Sequence, residues 1–193
     1  MRQERRERRP VLIGLVNPYS TLAGAALLPV PRGCAGWRLW QFLGDGMEER
    51  GLARPAKSAY VRNFQRRNIL ADQRHWDRNL GRALGPGVLA ALAGRVIVAL
   101  GAEAWSSLVH GRGDVSYRDR PQNGQSIILH VAPQESGDEE TSLPTTIYYL
   151  PHPSGRNPWY NEPENRRVAA TLLTNLYCDA GEHIHAGVSE TSS

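Results

Sequence analysis

Val11-Leu12-Ile13-Gly14-Leu15-Val16 is an unbroken apolar run with no polar residue threaded through it. A strand with one wet face alternates; a strand that does not alternate is covered on both faces, as in the parallel sheets of α/β proteins. Arg95 to Gly101 repeats the form, an apolar stretch closing on a glycine turn ahead of a helical segment over Ala102 to Val109. Thr145-Thr146-Ile147-Tyr148-Tyr149 is β-branched and aromatic, and an amphipathic helix from Glu162 to Tyr177 lies beyond it. Val168, Leu172, Leu173 and Leu176 form the buried stripe of that helix, with Asn161 as its N-cap and Glu164 three residues on. Ser58 to Val61 reads as a second strand and Ser126 to Val131 as a further one, while Trp37 to Leu43 is helical with its tryptophans packed in the core. This alternation predicts an α/β fold, a three-layer α/β/α sandwich around a mostly parallel four-stranded sheet.

At 193 residues the chain suits one domain, residues 11–178, with a basic tail over 1–10 and a flexible polar tail over 179–193. The net charge of +4 is carried by 22 arginines and a single lysine, Lys57. Guanidinium groups suit bidentate contact with phosphate, although a GC-rich coding sequence produces the same bias without any function. Residues 54–82 are the most basic stretch, with eight basic residues against Asp72 and Asp77. Met1 to Arg9 holds five arginines and two glutamates, either a solvated tail or an arm that touches a polyanion, and is too charged for a secretory signal. Schiff-base chemistry needs an amine, and only Lys57 and the amino terminus supply one. Cys34 and Cys178 are far apart and form no CxxC pair, so a cysteine-held metal centre or iron–sulfur cluster is not expected. His183 and His185 fall in the polar tail, and no metal or organic cofactor is implied. No apolar run approaches membrane-spanning length. The expectation is a reduced, cytoplasmic protein that works as a monomer.

In this reading Asn17, Asn63 and His152 each lie just beyond the carboxyl end of a strand, so three loops meet on one rim of the sheet. Open α/β sheets build ligand sites in that place. The richest of the three is His152-Pro153-Ser154-Gly155-Arg156-Asn157, which brings an imidazole, a hydroxyl, a guanidinium and a carboxamide together.

That run resembles the His-Pro-Ser motif of the uracil-DNA glycosylase superfamily, and most of all its single-strand-selective branch, where the motif continues into Arg-Asn. Gly14 to Ser20 is similar to the superfamily's first motif, a strand ending in Asp-Pro or Asn-Pro. Asn17 stands where the mismatch-specific and single-strand-selective branches carry asparagine. A carboxamide holds a water by hydrogen bonds but does not take its proton near neutral pH. Tyr60-Val61-Arg62-Asn63-Phe64 resembles the second motif, whose asparagine reads the flipped base with one donor and one acceptor. Asn68 takes that part if the strand register is shifted. Arg95 to Trp105 looks like the superfamily's middle strand and helix. Gly33 to Trp40 is similar to the glycine-rich start of the first helix in cluster-containing relatives, without their cluster cysteines.

The resemblance implies a monofunctional DNA glycosylase that flips a pyrimidine and hydrolyses its N-glycosidic bond, leaving an abasic site and showing no lyase activity. His152 then stabilises the negative charge of the departing base, Asn17 positions water and Asn63 reads the base. Ser154 and the backbone amides from Gly155 onward bind phosphate, Arg156 enters the duplex or contacts backbone, and Asn157 completes the motif. Arg62, Arg66 and Arg67 are candidate phosphate contacts. Two departures bear on the substrate. No aromatic lies between Tyr19 and Trp37 to stack on an extruded base, which leaves Trp37 or Phe64 for stacking, or a roomier pocket. Tyr19, against that, stands where relatives exclude C5 substituents. Uracil and a bulky modified pyrimidine, such as the glucosylated hydroxymethylcytosine of some phage genomes, both stay open. The partner is DNA, single- or double-stranded, in repair or in phage defence. The alternative is a non-catalytic module on the same fold that senses a damaged or modified base.

Overall fold

A computed structural model of the protein describes residues 9–134 and 141–185. The basic tail expected ahead of Arg9, residues 135–140 and residues 186–193 lie outside the described residues.

Five strands form one sheet: β1 (Val11–Val16), β2 (Gln65–Leu70), β3 (Val96–Leu100), β4 (Ser126–Val131) and β5 (Leu143–Leu150). Their order is β2-β1-β3-β5-β4, parallel throughout except for β4, which pairs antiparallel with β5 at one edge. The expected sheet of four strands is therefore one of five. Among the described residues five α-helices flank it: α1 (Ala35–Glu49), α2 (Lys57–Asn63), α3 (Arg78–Ala90), α4 (Ala102–Leu108) and α5 (Pro163–His185).

The unbroken apolar character of β1 and β3 follows from their central places, because helices cover both faces. Val11, Ile13, Leu15, Ile97 and Ala99 pack with Val88 and Leu89 of α3 and Trp105 and Leu108 of α4. Leu12, Val98 and Leu100 pack on the other side with Leu39, Phe42 and Leu43 of α1 and Leu172 and Leu173 of α5. Each such side chain, fully buried, contributes about 1.5–3 kcal/mol.

Two elements differ from the sequence expectation. Ser58 to Val61 is helical, within α2, and the second strand begins after it. Tyr60 and Phe64 are four residues apart, and their rings meet at 5.5 Å, which is helical rather than alternating spacing. The true strand opens on Gln65-Arg66-Arg67-Asn68, a polar run on an edge strand, where Gln65 is bound by Arg95 and Arg66 by the Ala26 carbonyl. Helix α3 contains Pro86 and several glycines and gave little helical signal. Asp77 caps it, accepting from Leu80 N at 3.0 Å, and Gly85 lets it lie against α4, where a Cβ would overlap the Ser107 carbonyl. At the last helix, Asn161 sits in a 3-10 turn (Pro158–Asn161) instead of acting as N-cap, and α5 continues past Cys178 into the expected tail, to His185.

Candidate active site at the carboxyl edge of the sheet

The parallel register brings the ends of β1, β3 and β5 level: Val11 pairs with Ile97, and Leu100 with Leu150. Asn17 and His152 therefore emerge on the same rim, and a cleft of about 890 Å³ lies between them. Asn68 reaches the cleft from β2, where it pairs with Gly14. The glycine makes this possible, since a Cβ on Gly14 would stand 2.7 Å from the Asn68 carboxamide oxygen. Asn68 is 5% exposed, and its Oδ1 is buried with no hydrogen-bond partner. A buried orphan acceptor costs about 1–3 kcal/mol, so one preserved at a cleft is a candidate for ligand contact.

The opposite wall is the segment Ala25–Leu28, whose four carbonyls are each taken by a side chain from elsewhere. Asn17 Nδ2 donates to Ala25 O (3.0 Å), Arg66 Nη1 to Ala26 O (3.0 Å), Tyr60 OH to Leu27 O (3.3 Å) and Cys34 Sγ to Leu28 O (3.3 Å). Burial pushes the Tyr60 hydroxyl pKa up and that of the Arg66 guanidinium down. The other end of the Asn17 amide is engaged too, its Oδ1 accepting from Tyr19 N at 3.0 Å. Tyr19 stands at the rim, 65% exposed.

His152 is carried by a loop folded on its own backbone. Its carbonyl accepts from Ser154 N (2.8 Å) and Asn157 Nδ2 (3.0 Å), while Tyr160 OH donates to Pro151 O (2.7 Å). Asn157 thus braces the loop and does not line the cleft. The Ser154 amide is spent on this turn, whereas among the described residues no group takes the N–H of Gly155 or Arg156. Ser154, Gly155 and Arg156 all border the cleft, and Arg38 of α1 lies beneath, its Nη2 3.3 Å from where a Gly155 Cβ would be. Gly101, at φ +94, ends β3 against His152, with a Cβ there falling 3.0 Å from the His152 Cβ. The His152 ring stays open to solvent at the mouth, and the enclosing walls still disfavour its charged form, lowering its pKa.

Several expected site residues lie elsewhere. Asn63 ends α2 just before β2, at the edge of the sheet where the strands begin, opposite the cleft. The cause is the shift of the second strand toward the carboxyl end, which puts Asn68 in the cleft in its stead. Phe64 is buried between Tyr60 and Tyr177, ring centroids 5.5 and 6.3 Å away, and cannot stack on a base. Trp37 lies in the first turn of α1 under Arg32, outside the cleft lining. Arg62 is on α2 near Asn63, its carbonyl bound by Arg9, and Arg67 is half-buried on β2 beside Ile13; neither borders the cleft. Arg66, spent on Ala26 O, is part of the wall.

Two lining residues were not anticipated. Trp76, 53% exposed, borders the cleft from the loop after β2, with the Arg78 guanidinium 5.1 Å over its ring. Glu103, in the first turn of α4, is held by Arg78 through Nε at 3.1 Å and Nη2 at 2.7 Å. Both follow a strand's carboxyl end, the signal that would have marked Trp76 had β2 been placed correctly. Among the described residues no cluster of His, Cys, Asp and Glu is arranged to hold a metal ion, and no helix is long and apolar enough to cross a membrane.

Fold and site together define an α/β sandwich with a ligand cleft at the carboxyl edge of its parallel strands, lined by amide, imidazole, guanidinium and carboxylate groups. No protein-family model, curated protein or solved structure matches the chain.

Proposed function

We propose that the protein is a monofunctional DNA glycosylase of the uracil-DNA glycosylase type, which receives an extruded pyrimidine in this cleft and hydrolyses its N-glycosidic bond. The observation that carries the reading is the meeting of the buried, unpartnered Asn68 amide with the His152 imidazole in one cleft. A carboxamide matches the mixed donor–acceptor edge of a pyrimidine, and an imidazole facing its carbonyl oxygen lowers the cost of the leaving anion. The free N–H groups of Gly155 and Arg156, with the Arg156 and Arg38 side chains, supply a positive margin for the flanking phosphate. A cleft of about 890 Å³ lies toward the upper end of the range for drug-sized ligands. Together with the outlying position of Tyr19, that room favours a pyrimidine with a bulky substituent, such as a glucosylated hydroxymethylcytosine, over bare uracil.

One observation favours a second reading, a module that binds the modified base without releasing it: both ends of the Asn17 amide are committed within its own loop. Incubation with oligonucleotides bearing uracil, mismatched or glucosylated pyrimidines, followed by alkali, separates the two. Strand breaks at the target base establish excision; retention of the DNA on a filter without alkali-labile sites establishes binding alone.

A further inference from the structure

We infer that Glu103 is a catalytic residue of this reaction, the carboxylate that orients the attacking water and accepts its proton; the inference rests on the glycosylase reading above. Among the described residues that line the cleft, Glu103 is the one acidic side chain. It follows Gly101, which packs on His152, so carboxylate and imidazole rise from the adjacent ends of β3 and β5. Arg78 grips it through two nitrogens and is itself placed over the Trp76 ring, which fixes the carboxylate's orientation. A carboxylate has about four lone-pair sites, so two remain beyond the Arg78 fork for a water.

The chemistry needs such a group. Departure of the base breaks the C1′–N bond and carries away its electron pair, leaving an oxocarbenium-like sugar. The water oxygen then bonds to C1′ and sheds a proton. Asn17 cannot take that proton, and its amide is already engaged at both ends. Glu103 accepts it, and the proton passes on to solvent or to the base anion. Because the cation forms ahead of attack, the carboxylate has chiefly to be close and correctly oriented, which suits one held in place by an arginine fork.

The test is E103Q, compared with the unaltered protein under single-turnover conditions on whichever modified-base oligonucleotide yields alkali-labile sites. An exposed ion pair contributes little to stability, so the variant should melt normally. The expected result is an excision rate lower by about 10²–10⁴-fold, with filter retention of the substrate unchanged and partial recovery in E103D. A rate within a few-fold of the parent overturns the role of Glu103 and leaves the glycosylase reading standing. A slow E103Q that also melts early or no longer retains substrate overturns it as well, in favour of a structural ion pair. Absence of alkali-labile sites with the unaltered protein, on every substrate, overturns both.

Discussion

Asn68→Ala separates stability from activity, because the two should move in opposite directions. The Asn68 carboxamide oxygen is buried without a partner in a residue 5% exposed, on a strand, where asparagine is disfavoured. Relief of an unpaired buried acceptor is worth about 1–3 kcal/mol. Against it stands the loss of the contacts made by Cγ and the amide. That loss is moderate, since the vacated volume opens into the cleft and does not seal as a cavity. The balance is a stabilisation of about 1 kcal/mol, or a rise of about 2–4 °C in Tm for a chain of this size. On the glycosylase reading the same change also removes the amide's hydrogen bonds to the base and should lower kcat/KM by roughly 10–100-fold. Thermal melts by circular dichroism and alkaline cleavage of a modified-base oligonucleotide measure the two effects. A Tm lowered by several degrees would show that the amide holds the fold together. Undiminished excision at the higher Tm would remove Asn68 from base recognition.

Three further outcomes follow from the same geometry. His152 has a folded-state pKa below its ordinary value because burial disfavours the imidazolium, so the unfolded chain binds more protons as pH falls through about 6.5 and stability declines on that side. His152→Gln should therefore lose less stability than the parent between about pH 7 and pH 5 in denaturant titrations; equal acid slopes would contradict this. Gly36→Ala places a Cβ against the Leu27 and Leu28 carbonyls, backbone that cannot turn aside, and should cost about 1–3 kcal/mol or more, seen as a lowered urea midpoint. Trp76→Ala should leave stability within about 0.5 kcal/mol, the ring being half in solvent; if, on the glycosylase reading, this exposed ring stacks on a base, retention of target DNA should weaken by about 1–3 kcal/mol.

What could be read from sequence followed from how strongly each element's burial constrains its composition. The central strands β1 and β3 must be apolar on both faces, and their bounds are nearly those the sequence predicts. The His152 loop was legible because it follows such a strand and because its residue types are chemically distinctive. The edge strand β2 escaped notice for the opposite reason. Its Gln65 and Arg66 are held by partners remote in sequence, Arg95 for Gln65 and the Ala26 carbonyl for Arg66, which no local pattern reveals. That one displacement moved the amide assignment from Asn68 to Asn63 and hid Trp76. Glu103 was visible as a residue but not as a site, since only the packing of Gly101 on His152 brings its helix to the cleft.

The arginine excess divides once each guanidinium's surroundings are known. Arg54 bonds Asp45, Glu48 and Gln41; Arg112 bonds Asp114 and the His130 carbonyl; Arg95 bonds the Arg9 carbonyl and Gln65; Arg66 bonds Ala26. A planar fork that satisfies a carboxylate and a carbonyl at once suits such junctions in a way a lysine ammonium does not. Within the basic stretch 54–82, Arg54 and Arg66 are thus internal scaffolding, and the stretch's net charge is no direct measure of an anion-binding face. Arg156, which borders the cleft, and Arg38, beside Gly155, are different: they lie next to unengaged backbone N–H groups, and on the glycosylase reading they would face a phosphate flanking the extruded base. On the glycosylase reading, recognition of the strand would be local to one or two phosphates at the cleft, and discrimination would fall to Asn68 and the cleft walls rather than to long-range charge.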